Sequence, residues 1–211
     1  MDHYKETIQT WNKLANLYEE RFMDLTIYNE SYDFVCNALS KDQTTVLEVG
    51  CGPGMISRYL LSKRPDLHFL GTDVSPNMIA TARKNVPGAQ FEVLDSRKIR
   101  SLNQNFDAIV SGFCIPYLSS EDVKQFISDA GKIINQNGVF YLSFIAGKEE
   151  QSGYQTGSSG DRVYFYYHPE ERILEQLKNS GFELVKRFVI PFERANGDKE
   201  EHLVLIARKL N

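Results

Sequence analysis

No uninterrupted apolar stretch in the 211 residues approaches the ~20 residues that a membrane-spanning helix needs. The opening Met1-Asp2-His3-Tyr4-Lys5-Glu6 lacks the apolar core of a secretion signal. A Lys/Arg-rich block is missing too. With a formal net charge of -4 and a pI near 5.6, bulk electrostatics give no reason to expect nucleic acid as a partner. Cysteine is scarce: Cys36, Cys51 and Cys114 are odd in number and form no C-x-x-C pair, which suits reduced thiols better than a disulfide framework. His3, His68, His168 and His202 are scattered without zinc-ligand spacing, so no metal is expected. These absences leave a soluble, cytoplasmic protein with no membrane partner, of a length that suits one domain.

What is present is periodicity. Ile8, Trp11, Leu14 and Tyr18 recur at helical spacing, as do Tyr28, Tyr32, Val35 and Leu39, and predict two amphipathic covering helices. From residue 44 short apolar segments at 45–49, 67–71, 90–94, 107–110 and 139–145 alternate with helix-period stretches. Ser75-Pro76 supplies an N-cap and a proline at the first helical position. Strand and helix in strict alternation predict a parallel sheet with right-handed crossovers. Residues 147–161 are rich in Gly, Ser, Gln and charge and read as a mobile loop. Residues 162–167 are read as a strand or an extended lid. A helix opened by Pro169 should stop at Gly181. Segments 182–190 and 202–207, separated by a turn around Asn196-Gly197-Asp198, predict an antiparallel hairpin closing the sheet.

The chemistry concentrates in Val46-Leu47-Glu48-Val49-Gly50-Cys51-Gly52-Pro53-Gly54, a strand running into a glycine turn with a helix behind it. Glycines there permit positive φ and close ligand approach, and the helix N-terminus favours an anionic group. Leu70-Gly71-Thr72-Asp73 puts a carboxylate at the end of the next strand, where it can accept from two ribose hydroxyls. Asp95, after the third strand and followed by Ser96, can accept from an exocyclic amine. Ser111-Gly112-Phe113 ends the fourth strand at the crevice. Glu48 is an acid inside a strand that otherwise reads as buried. It needs a partner there: backbone amides, or a ligand amino group reached through water.

These four segments resemble the class I S-adenosylmethionine-dependent methyltransferases, most strongly over residues 44–118. The stretch from Thr72 to Ile79 followed by Ala82-Arg83 is similar to members acting on small metabolites. The resemblance implies an α/β, Rossmann-like three-layer αβα sandwich with a mostly parallel seven-stranded sheet of order 3-2-1-4-5-7-6, strand 7 antiparallel. It also implies S-adenosylmethionine as cofactor, S-adenosylhomocysteine as product and a small-molecule methyl acceptor. Gly50, Gly52 and Gly54 would face the methionine part, Asp73 the ribose, and Met78, Asp95 and Ser96 the adenine. Glu48, Cys51 and Val74 are further cofactor-binding candidates. Ser111, Gly112 and Phe113 would lie beside the cofactor and Tyr18 above it. Residues 1–211 would form one domain, with a helical cover (1–40), a cofactor-binding core (44–146), a flexible substrate-side segment (147–168) and a terminal helix and hairpin (169–211).

Ile115-Pro116-Tyr117 lacks the Asn-Pro start of the N-P-P-Y signature and lies too far past Ser111, so that signature is not transferred. Tyr117, Tyr166 and His168 remain substrate-pocket candidates, His168 being the best titratable group in the sequence for a general base. Two alternatives stand beside this reading: a non-catalytic S-adenosylmethionine-binding protein, and an NAD(P)-dependent oxidoreductase on a similar fold. The oxidoreductase fingerprint G-x-G-x-x-G is not matched, because Met55 occupies its last position. The acidic balance disfavours RNA and protein acceptors. No oligomeric state follows from the sequence.

Overall fold

The computed structural model describes residues 3–40, 44–157, 159–194 and 197–210. Three helices open the chain: α1 (His3–Lys13), α2 (Ala15–Phe22) and α3 (Asn29–Ala38). The core then alternates β1 (Thr45–Val49), α4 (Met55–Lys63), β2 (His68–Asp73), α5 (Pro76–Asn85), β3 (Gln90–Val93), β4 (Phe106–Gly112), α6 (Ser120–Ile133) and β5 (Ile134–Phe144). A small hairpin follows, β6 (Gly153–Thr156) with β7 (Arg162–Phe165), and then α7 (Glu170–Asn179), β8 (Phe182–Glu193) and β9 (Lys199–Lys209).

The sheet order is β3-β2-β1-β4-β5-β9-β8. β1 to β5 run parallel, and β9 is antiparallel to both neighbours. Numbered within this sheet alone, that is the expected 3-2-1-4-5-7-6 arrangement. Alternation along the strands divides the core into two layers. Val46, Ala108, Val110, Val139, Tyr141, Val204 and Ile206 pack under α3 and α4. Their neighbours Leu47, Ile109, Phe140, Leu142, Leu203 and Leu205 pack under α6 and α7. Each such aliphatic side chain contributes roughly 1.5–3 kcal/mol on full burial.

Local signals place the helix ends. Ser75 caps α5 by accepting from the Met78 N–H at 3.2 Å, with Pro76 in the first turn. Ser119 caps α6 through the Asp122 N–H. Gly181 ends α7 at φ 77°, where an L-residue with a Cβ would be strained.

Three expectations change. The stripe Ile8–Trp11–Leu14–Tyr18 is not one core-covering helix: the chain breaks at Leu14 between α1 and α2, and these side chains are half-buried while Thr7, Thr10 and Ala15 go inside. The cover therefore has three helices. The segment read as a mobile loop contains the β6–β7 hairpin, docked on α1. Thr10 Oγ1 donates to the Arg162 carbonyl at 2.8 Å, and the Tyr164 N–H donates to Thr7 Oγ1 at 2.9 Å. Its Gly and Ser content hid a strand whose partner is a helix a hundred and more residues earlier. The closing hairpin is longer than expected, and of its predicted turn Asn196 lies outside the described residues.

Candidate functional site

A cavity opens at the carboxyl ends of β1, β2 and β4, where strand order reverses. This is the position at which open α/β sheets bind ligands. With its open mouth, solvent space included, it spans about 880 Å³.

Its floor is the turn after β1. Gly50 and Gly52 line it at φ 73° and 52°. A Cβ on Gly50 would come within 2.9 Å of the Cys114 Cβ, whereas one on Gly52 would project toward Tyr18, 3.8 Å away. Gly52 thus keeps open the space between turn and tyrosine. Asp73, at the end of β2, accepts from the Gly52 N–H at 3.0 Å and the Ser75 N–H at 2.8 Å. Burial pushes its carboxyl above the usual range, against the pull of those two amides. Each oxygen keeps a free lone-pair direction for a hydroxyl donor.

Asp95 and Ser96 line the β3 side. Asp95 caps the 3₁₀ turn Ser96–Ser101 through the Arg97 N–H and pairs with the Arg97 guanidinium at 2.6 Å. Burial raises its pKa, but the Arg97 bonds outweigh this and leave the carboxyl below its ordinary value. Arg97 in turn lies over the Tyr4 ring, 4.2 Å from its centroid. Val74, Met78, Gly112, Phe113, Tyr18 and Tyr117 complete the expected lining.

Six expected residues are placed elsewhere. Gly54 caps α4 at φ 89°, and its missing Cβ lets that helix end approach Val86 and Ala82. Its role is helix packing. Cys51 packs with Ile79, Ala82, Val86 and Phe91 behind the turn. Glu48 is 1% exposed. Its Oε2 accepts from Ser57 Oγ of α4, and the Ser57 backbone amide bonds to the same carboxyl, as one of the two expected kinds of partner. Burial pushes its pKa to about 8, and the Ser57 bonds only partly oppose that. Ser111 is buried against the Cys114 thiol. His168 is buried, and its Nε2 donates to the Ile115 carbonyl at 3.0 Å. That bond pins a loop and turns the imidazole away from the cavity. Tyr166 fixes the same loop through its N–H to the Pro116 carbonyl at 2.7 Å, its ring beside Tyr164.

The roof comes from residues that sequence reading did not assign to the site. α1 contributes Tyr4, Thr7, Ile8 and Trp11, and the segment after β4 contributes Cys114 and Leu118. Trp11 stands edge-on to Tyr18 and to Tyr117, at 5.4 and 5.5 Å between centroids. α1 is tied down at both ends of the mouth. Asn12 Oδ1 accepts from Ser75 Oγ at 2.9 Å and the Asn77 N–H at 3.0 Å. Tyr4 bonds to Asp122 and receives the Ser119 N–H. The one available signal was that the Ile8–Trp11–Tyr18 stripe is too aromatic for its polar surroundings. Burial pushes the Cys114 thiol up to about 12, so it is no nucleophile at neutral pH.

A glycine turn, an acid on the adjacent strand and a crevice at the reversal of a parallel sheet define a Rossmann-like α/β protein with its cavity at the usual ligand position. Comparison with known proteins narrows this. Residues 46–138 match the family model described as a methyltransferase domain. A protein of Invertebrate iridescent virus 6 that carries a methyltransferase name is 30% identical over 112 residues, 53% of this chain and 40% of that one. A malonyl-[acyl-carrier protein] O-methyltransferase of Acetivibrio thermocellus is 31% identical over 99 residues, 46% of this chain and 31% of its own. The trans-aconitate 2-methyltransferase of Methylobacterium nodulans is 43% identical over 58 residues, 28% and 21% of the two chains. The matched stretch thus spans less than half the length of these relatives. Among solved structures, magnesium protoporphyrin IX methyltransferase of Synechocystis PCC 6803 with bound S-adenosylmethionine superposes with a TM-score of 0.73 at 17% identity, covering 99% of this chain and 98% of that one. At that identity the likeness is one of fold. The matched segment, under half of this chain, is similar to the methyltransferase domains of the S-adenosylmethionine-dependent superfamily. The superfamily's cofactor suits the residues present: an open glycine cradle, a buried acid with spare acceptor capacity and an apolar roof.

Proposed function

We propose that this protein is an S-adenosylmethionine-dependent methyltransferase acting on a small-molecule acceptor. The reading rests on one observation: the Gly50–Gly52 turn, Asp73 and the Asp95–Ser96 pair open into a single cavity. In this reading Gly50 and Gly52 face the methionine part, Asp73 holds the ribose hydroxyls, and Met78, Asp95 and Ser96 border the adenine. The reactive end then points toward β4, with the acceptor entering between Phe113, Tyr117 and the Trp11 roof.

The bound cofactor supplies a methyl group that already carries its leaving group. What the chain must add is alignment, and holding two reactants in line is worth about 7–11 kcal/mol. The apolar walls exclude water from that line, which favours a reaction in which charge is lost. His168, turned away, is no base for the acceptor. The names of the trans-aconitate and malonyl-[acyl-carrier protein] methyltransferases support a metabolite-type acceptor, as does the net charge of -4.

Thermal-shift titration with S-adenosylmethionine, S-adenosylhomocysteine and NAD tests the cofactor. The first two should stabilise the fold by about 2.7 kcal/mol at a hundredfold excess over Kd. Stabilisation by NAD alone would overturn the reading. Incubation of labelled cofactor with a metabolite extract tests catalysis. Tight binding with no transfer of label would favour a non-catalytic binding protein.

A further inference from the structure

A titratable group, His202, lies behind the β4 end of the cavity. Its strand, β9, pairs with β5 through Leu203 opposite Phe144, and β5 pairs with β4 through Ser143 opposite Gly112. His202 therefore sits at the carboxyl edge of the sheet, beside the residue that follows Gly112. That residue is Phe113, a cavity-lining side chain held at φ 53°. A left-handed phenylalanine is strained and persists only where its surroundings enforce it.

The surroundings are specific. The Phe113 N–H donates to both the carbonyl and Oγ of Ser143, each at 3.1 Å. The Phe113 ring stands edge-on to the His202 ring at 4.7 Å and to the Tyr28 ring at 5.7 Å. His202 itself is clamped on both nitrogens. Nδ1 bonds to the Tyr28 hydroxyl, and Nε2 lies 2.8 Å from Glu200 Oε1. The other oxygen of Glu200 is held by Arg194 at 2.6 Å. Phe192 stacks on the imidazole at 4.6 Å. Tyr28 and His202 are 3% and 5% exposed, so the hydroxyl and the imidazole are shielded from water.

We infer that His202 is a positioning residue for the reactive end of the cavity: clamped between Glu200 and Tyr28, it holds Phe113 in the wall. The inference rests on the methyltransferase reading of that cavity. The clamp also fixes a protonation state. A carboxylate only accepts, so Nε2 carries the hydrogen, and Nδ1 accepts from the Tyr28 hydroxyl. A second proton on the ring would turn Nδ1 into a donor and force the Tyr28 hydrogen away among apolar rings, leaving it unsatisfied.

Among the described residues, the charged and titratable groups facing this pair are Glu200 on the same strand, Arg194 at the end of β8, and Tyr18 and Tyr141 toward Tyr28. Burial pulls His202 below the ordinary imidazole value of 6.5, against the opposing pull of Glu200. A group depressed in the folded state contributes its stability above its unfolded pKa and loses it as pH falls. The wall therefore loosens below pH 6.5, as pH drops through the folded value.

Nitrogen-15 NMR of the histidine rings, followed from pH 8 to 4.5, tests this without ligand. His202 should show the Nε2–H tautomer, and the Phe113 amide should shift with the midpoint of the His202 ring. Calorimetry with S-adenosylhomocysteine then gives the functional arm. Wild-type affinity should fall about fivefold or more between pH 7.5 and a pH below the midpoint that the His202 ring shows. His202→Gln, which both donates and accepts but cannot take a proton, should stay within about twofold of wild type at pH 7.5 and lose that pH dependence. His202→Ala should bind about tenfold more weakly at both pH values. A Phe113 amide blind to the His202 titration, or His202→Gln with the wild-type pH slope, overturns the positioning role alone. Wild type that binds no S-adenosylhomocysteine at pH 7.5 overturns the functional reading and this inference with it.

Discussion

The floor and the roof of the cavity are built by opposite means. The floor, between β1, β2 and β3, consists of backbone and short acids supplied by residues 50–96. Its geometry is set by positive-φ glycines and by carboxylates at strand ends. The roof consists of aromatic side chains from residues 4–18 and 113–118, segments remote in the chain, held together by hydrogen bonds to Asn12, Thr7 and Thr10. A floor of backbone tolerates almost no change, because nothing in it can rotate aside. A roof of side chains can repack. The difference suits a site in which one half grips an invariant group and the other accommodates a variable one.

The sharpest way to break this contrast is Gly50→Ala. The new Cβ would meet Cys114 Cβ at 2.9 Å in a left-handed backbone, combining a steric clash with dihedral strain. Destabilisation by about 2–5 kcal/mol in urea unfolding is expected. A variant as stable as wild type would show the floor to be as adaptable as the roof. Asp73→Ala should leave the fold in place but weaken S-adenosylmethionine binding about 10–100-fold by calorimetry, as loss of hydrogen bonds to a charged acceptor implies. For the roof, Trp11→Ala should cost only about three- to tenfold in the same titration, because Tyr18 and Tyr117 still flank the gap. A Trp11 effect larger than that of Asp73 would reverse the proposed division of labour.

The smallest effect concerns Glu48, beneath the floor. Its folded pKa of about 8 lies above the ordinary value of 4.5. A raised acid contributes stability that is complete below pH 4.5 and lost as pH climbs to about 8. Wild-type melting temperature should therefore decline over that window with a component that Glu48→Gln lacks. Parallel melting curves for the two proteins from pH 5 to 9 would place the ionised form in the native state already.

The floor was legible in the sequence because its determinants are local. Gly50, Gly52 and Asp73 stand at fixed distances from strand ends that alternation reveals, and the strand order follows from the same alternation. Gly54 and Cys51 share the motif but serve packing, a distinction that depends on which way α5 approaches. The roof was illegible because its parts meet only in three dimensions. Nothing in residues 3–13 announces that Thr7 and Thr10 cap the edge of a hairpin at residues 162–164. His168 and His202 are equally isolated in sequence. Only the pairing of β9 with β5 puts the second of them, not the first, behind the cavity wall.

The sequence contains a single tryptophan, and it is the one in the roof. Trp11 therefore makes the protein its own optical sensor. Its ultraviolet emission comes from one indole in the wall of one cavity, so a change in colour or intensity on mixing with a candidate compound reports occupancy of that space without label or coupled assay. Libraries of prospective acceptors can be screened on the unmodified chain by light alone.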